Sequence, residues 1–179
     1  EGVSDTFAAA LWGADLMYRL AQAGAIGVNF HGGGYGWYTP VAGTPGSGFV
    51  ARPIYYGMLL FAVAGAGRLV MTEMDGVTDE SVTAFGLKGR DGALKVIVLN
   101  KNPDEDVTLA VATPGARRAS VMRLLAPRPD DRTDATFAGS VVGNDGSWMP
   151  QVTETLAARH GLLTLRMSRA SGALLTLSA

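Results

Sequence analysis

The run His31-Gly32-Gly33-Gly34-Tyr35-Gly36-Trp37-Tyr38 gathers an imidazole, three aromatic rings with polar tips and four glycines within eight residues. Tyr and Trp offer flat apolar faces together with hydroxyl or N–H groups, the combination suited to a sugar ring and its oxygens. Glycine has no Cβ, so the backbone amides of Gly32, Gly33, Gly34 and Gly36 can come closer to a ligand than other residues allow. His31 can serve there as a general base, as a donor to a ligand, or as a hydrogen-bonded residue at a strand end. A tightly packed surface loop whose aromatics shield helix ends would carry the same residues. Phosphate binding does not fit the pattern. The G-x-G-x-x-G spacing is missing, no helix follows directly, and no Lys-Ser/Thr pair occurs.

Other reactive side chains are scattered. His160 lies in Ala158-Arg159-His160-Gly161, a turn before a strand, where a structural or solvated role is expected. Ser, His and Asp all occur, but without a G-x-S-x-G elbow. Asp15 falls on a helix, Glu73 and Asp75 flank a strand end, and Asp130, Asp131 and Asp134 share a loop; all are expected to be solvated surface charges.

The elements that must position the glycine-aromatic run can be read from spacing. Ser4 is the expected N-cap of a helix with Asp5 in its first turn. Phe7, Leu11, Ala14, Tyr18 and Ala21 recur at helical steps, Ala10, Met17 and Leu20 widen the stripe, and Gly24 supplies a left-handed stop. Ile26–Phe30 is a short, nearly continuous apolar run, as in a parallel strand covered on both faces. From His31 to Arg52, Gly36, Pro40, Gly43, Pro45, Gly46 and Gly48 point to one long loop, a length more often functional than decorative. Pro53 opens a second helix that carries Ile54, Met58, Phe61 and Ala62 and ends at Gly65 and Gly67. Helix, buried strand, loop and helix make one unit of a parallel α/β layer. In such folds ligands bind beyond the carboxyl ends of strands, the position of His31–Tyr38. A lone parallel strand has two open edges, so the rest of its sheet is expected from other polypeptide.

After Arg68 the character changes to short runs of Val, Leu and Thr between turn residues. Strands are expected at Leu69–Met74, Val82–Lys88, Leu94–Asn100, Val107–Ala112, Ala119–Leu125, Leu162–Ser168 and Ala173–Leu177, with turns at Arg90-Asp91-Gly92 and Asn102-Pro103-Asp104. They read as an antiparallel sandwich, with extended loops between Ala126 and Ala158. The expected fold class is therefore α/β plus all-β, divided at residue 68 into an α/β unit (1–68) and a β-sandwich (69–179).

Composition narrows the function classes. The 179 residues are 47% hydrophobic and 17% charged, enough for a sizeable core without a disulfide or metal staple. Fifteen Lys and Arg against sixteen Asp and Glu give a formal charge of -1, which offers no electrostatic footprint for nucleic acid or an anionic membrane. No Cys and two His exclude thiol catalysis and the usual zinc ligand sets. No apolar run reaches the roughly 18 residues of a membrane span. A start at Glu1 without Met or leader reads as a chain cut from something longer.

Three stretches resemble the end of the catalytic barrel in glycoside hydrolase family 79, the family of β-glucuronidases and heparanases. They are Gly2-Val3-Ser4-Asp5-Thr6-Phe7-Ala8-Ala9-Ala10-Leu11-Trp12, then Gly27-Val28-Asn29-Phe30-His31-Gly32-Gly33, then Pro53-Ile54-Tyr55-Tyr56-Gly57-Met58. Leu124-Leu125-Ala126-Pro127 and Asp145-Gly146-Ser147-Trp148-Met149-Pro150 are similar to its C-terminal β-domain. The resemblance implies a retaining hydrolase on a (β/α)8 TIM barrel with an added β-sandwich, using two carboxylates about 5–5.5 Å apart. It implies that the nucleophile lies shortly before the Gly-Val-Ser motif. Glu1 is too close to that motif, so no catalytic residue is expected in this chain. The loop after barrel strand eight would hold a uronic acid carboxylate through Gly34 and Tyr35, with His31, Trp37 and Tyr38 as secondary contacts. No cofactor is implied. The implied partners are the N-terminal remainder of the barrel, as a separate chain or fragment, and a glucuronic acid-containing carbohydrate; a secreted or periplasmic location would follow. Exo-glucuronidase and endo-heparanase remain open, as do a non-catalytic carbohydrate-binding or interaction module and a serine hydrolase using His31.

Overall fold

A computed structural model describes every residue except 47, 77–79 and 114. Helix α1 spans Phe7–Gln22. Its start differs from expectation. Thr6, not Ser4, is the N-cap, and its hydroxyl donates back to the Val3 carbonyl at 2.8 Å. The first amides are satisfied from far along the chain instead: Phe7 N–H donates to Asp131 O at 2.7 Å and Ala8 N–H to Pro129 O at 2.9 Å. Asp5 accepts from Gly2 N–H and pairs with Arg132 at 3.3 Å. The helix ends as the spacing predicts, with Gly24 left-handed and Ala25 N–H closing back to Leu20 O at 2.9 Å. Helix α2, Pro53–Ala64, begins at its proline and stops at Gly65.

Between the helices, β1 (Val41–Thr44) and β2 (Gly48–Ala51) form a hairpin. The antiparallel sheet expected after residue 68 is present. It comprises β3 (Gly67–Val70), β4 (Val82–Gly89), β5 (Leu94–Asn100), β6 (Val107–Ala112), β7 (Arg118–Leu125), β8 (Thr136–Phe137), β9 (Glu154–Ala157), β10 (Leu162–Met167) and β11 (Ser171–Ser178). The main sheet runs β3-β4-β5-β11-β7-β8, with β9 beside the start of β7, while β6 and β10 pair as a separate ribbon.

Alternation along the strands divides the core in two. Phe85, Leu87, Ile97, Leu99, Leu124 and Leu174 pack against Phe7, Leu11, Tyr18 and Leu60 of the two helices. On the opposite face, Val98, Val121, Ala173 and Leu175 pack against Leu163, Leu165 and Met167 of the ribbon. In β10 these three are buried while Leu162, Thr164 and Arg166 are exposed, the period of two that makes such a strand readable. The helices approach so closely that a Cβ on Gly57 would enter the Ala10 carbonyl.

Tyr18 stacks on Phe85, centroids 5.0 Å apart, and tilts against Phe61 at 4.8 Å. Among the described residues its buried hydroxyl has no hydrogen-bond partner, and burial pushes its pKa well above the usual tyrosine value. Since an unsatisfied buried hydroxyl costs about 1–3 kcal/mol, Tyr18→Phe is expected to raise unfolding free energy by about 1 kcal/mol in denaturant titration. A loss of stability would reveal a partner for that oxygen.

Four further expectations are corrected. Ile26–Phe30 is not a strand: among the described residues no neighbour pairs with its N–H and C=O groups. The supposed single loop at 31–52 contains the β1–β2 hairpin, and the loop region 126–158 contains β8 and β9. Asp15 is not a solvated charge: it is buried, accepting from Thr83 at 2.7 Å and Arg19 at 2.8 Å and pairing with Lys101 at 3.0 Å. Burial disfavours its charged form, but the Thr83, Lys101 and Arg19 hydrogen bonds and the lysine charge outweigh this and hold its pKa below the ordinary carboxylate value.

Candidate functional site

The segment from Ile26 runs into the space beside α1 and α2. Ile26 is fully exposed, Val28 and Phe30 are half-buried, and Phe30 lies near Gly13 of α1, where Ile54 of α2 also packs. A cavity of about 560 Å³ opens here, lined by Trp12, Leu16, Phe30, His31, Tyr38 and Ile54 among others. Its walls are mostly apolar, so it suits hydrocarbon side chains better than a polyhydroxylated ring.

The five candidate site residues separate into two groups. His31 and Tyr38 meet at 5.0 Å between ring centroids and share the cavity wall. Gly34, Tyr35 and Trp37 lie outside that wall. Gly34 has φ +77°, and a Cβ there would strike the Gly43 carbonyl, so its backbone rests directly on β1. Gly43 faces Phe49 across the hairpin. The loop is thereby held against β1–β2 by the absence of a side chain. Tyr35 is 71% exposed, Trp37 and Tyr38 about half.

Sequence reasoning missed Arg52. Its Nη1 donates to the Gly36 carbonyl and to Thr39 Oγ1, the latter at 3.2 Å, and its guanidinium carbon lies 5.8 Å from the Trp37 ring centroid. Thr39 is buried, with its hydroxyl on Val41 O, and Arg52 N–H donates to Pro40 O at 2.8 Å. One residue thus ties the aromatic loop, the hairpin base and the start of α2 together. The signal was available: residues 20–67 contain no Asp, Glu or Lys and only this Arg.

Elsewhere the sequence motifs have structural employment. Trp148 stacks on Phe137 at 5.2 Å and donates Nε1–H to its carbonyl at 3.1 Å. Asp145, held below its usual pKa by the Ser147 hydroxyl and amide, closes an exposed turn. His160 sits exposed in the turn between β9 and β10. Among the described residues no cluster of His, Asp and Glu is arranged to hold a metal ion, and no helix is long and apolar enough to cross a membrane.

No protein-family model matches this chain, and no curated protein matches it. Solved structures do. A 4-O-α-L-rhamnosyl-β-D-glucuronidase from Fusarium oxysporum is similar over 98% of this chain and 40% of its own, with TM-score 0.82 and 20% identity. An α-L-arabinofuranosidase from Thermotoga maritima is similar over 95% of this chain and 38% of its own, with TM-score 0.67 and 14% identity. The catalytic domain of GH30 xylanase C from Talaromyces cellulolyticus is similar over the whole of this chain and 36% of its own, with TM-score 0.64 and 14% identity. At these identities the likeness is one of fold. The chain has a glycoside hydrolase-like fold and spans about two fifths of the length of the proteins that share it.

Proposed function

We propose that the chain is the C-terminal part of a retaining, family 79-like glycoside hydrolase that releases β-linked glucuronic acid. On this reading residues 1–68 are the last helix–strand–helix portion of a TIM barrel and residues 69–179 its β-sandwich. The observation that carries the reading is the Ile26–Phe30 segment. It is mostly apolar, lies between the two helices in the chain and among the described residues has no strand partner, with an apolar cavity beside it. Parallel barrel strands buried on both faces have this composition, and they need a neighbour on each edge. The missing neighbours would pair with its backbone and fill the cavity with their side chains. The fold likeness to a rhamnosyl-glucuronidase over 98% of this chain supports the same assignment.

The chemistry is then divided. Retention requires a nucleophile and an acid/base. No Asp or Glu occurs between Asp15 and Glu73, and Asp15 is committed to Thr83, Arg19 and Lys101. Both catalytic carboxylates are assigned to the rest of the barrel. This chain contributes the loop at the carboxyl end of strand eight, where the Gly34 amide and Tyr35 hydroxyl would donate to the uronate carboxylate, with His31, Trp37 and Tyr38 around the ring.

The test is direct. The purified 179-residue chain is expected to leave 4-nitrophenyl β-D-glucuronide intact, with release of 4-nitrophenol appearing only when polypeptide supplying the other barrel strands is present. Turnover by the chain alone would falsify the division. A second reading, a non-catalytic carbohydrate-binding module, is favoured by the exposed aromatics in a stretch, residues 16–72, that contains no Asp or Glu. Uronide binding without cleavage in the full-length protein would select it.

A further inference from the structure

Resting on the uronate reading above, we infer that Arg52 makes this site selective for an acidic sugar, its guanidinium pairing with the carboxylate while Trp37 and Tyr38 face the ring. Three independent features support this. First, Arg52 is the only residue with a full charge in the 20–67 stretch, and its guanidinium folds back on the loop that carries Trp37 and Tyr38. Second, it is half-buried yet has only neutral partners: the Gly36 carbonyl, the Thr39 hydroxyl and the Trp37 face. None of the ion pairs among the described residues includes it. A partly desolvated cation without a counter-ion gains more from an arriving anion than a fully hydrated one does.

Third, its position is electrostatically awkward without a ligand. Arg52 is the N-cap of α2, a twelve-residue helix with no side-chain cap and no acidic residue in its first turn. The positive end of a helix disfavours a cation and favours an anion. A carboxylate set between the guanidinium and the first turn would relieve both. Both neutral contacts are made through Nη1, and among the described residues Nε and Nη2 have no protein acceptor. Two donors of a planar fork match the two oxygens of a carboxylate. The contacts through Nη1 and over Trp37 hold the fork in place, so little freedom is lost on binding.

Isothermal titration of the full-length protein with methyl β-D-glucuronide and methyl β-D-glucoside tests the inference. Arg52→Gln is expected to weaken glucuronide binding by about 30-fold, the scale of one hydrogen-bonded charge pair, and to leave glucoside binding within about twofold. Arg52→Lys keeps the charge and is expected to retain part of the preference; melting temperatures of both variants report on folding. If Arg52→Gln weakens both sugars alike, the residue only braces the loop and the inference fails while the uronate reading stands. If the variant keeps the full preference, the inference also fails. A wild-type protein with no preference for glucuronide overturns the uronate reading and this inference together.

Discussion

Gly57→Ala is expected to lower the unfolding free energy by about 3 kcal/mol or more, at the upper end of overpacking substitutions. The added methyl would be driven into the Ala10 carbonyl, with the carbonyl carbon at 3.0 Å and Ala10 Cα at 3.3 Å. These are backbone atoms of α1, within its first turns. They cannot swing aside as a flexible side chain could, so the two helices must separate. Separation would loosen Leu11, Tyr18 and Leu60 from the sheet together. Gly32→Ala is the control, since a Cβ there meets nothing within 4 Å. Guanidinium titrations should show the Gly57 variant shifted strongly and the Gly32 variant within about 0.5 kcal/mol of wild type. Equal effects would mean that the close helix contact does not exist in solution.

Asp15→Asn ranks second, with an expected loss of about 2 kcal/mol at neutral pH. Breaking a buried ion pair costs more when the partners cannot reach water. Here the lysine side chain is 22% and the arginine 46% exposed, so the loss stays below the range for fully buried pairs. The pH dependence gives a signature. Hydrogen bonds and charge lower the folded-state pKa of Asp15 below its ordinary 3.8, so its stabilisation is complete above about pH 4 and fades as pH falls through the lower folded value. The gap between wild type and Asp15→Asn should therefore narrow steadily from pH 4 downward. A gap that stays constant to pH 2.5 would assign the effect to packing rather than charge.

Much of the architecture was legible because its periods are local. β10 alternates buried and exposed residues without interruption, and seven expected strands match observed ones to within a few residues. Pro53 and Gly24 punctuated the helices as their backbone preferences require. What escaped depended on distant residues. β8 has only two residues, and β9 exists because β7 offers Arg118–Val121 as a template. The β1–β2 hairpin is glycine-rich and four residues per strand, too short to show alternation. Asp15 looked like helix surface because Thr83, 68 residues away, is invisible from its own turn. The α1 start was misplaced for a similar reason: the carbonyls that satisfy it belong to residues 129 and 131. In the candidate site, the aromatic residues were evident from type alone, whereas the brace that orients them required knowing that residue 52 folds back on residues 36–40.

Strand β11 lies at the heart of the main sheet, bonded to β5 on one side and β7 on the other, though it follows both of them in the chain. The earlier strands must wait on the ribosome as two fragments with bare edges until Ser171–Ser178 arrives to join them. A translation product broken off before that point would carry every other strand of this sheet and still expose two sticky borders, marking it for aggregation or proteolysis. The order of strands thereby leaves the sheet incomplete until β11 has been made.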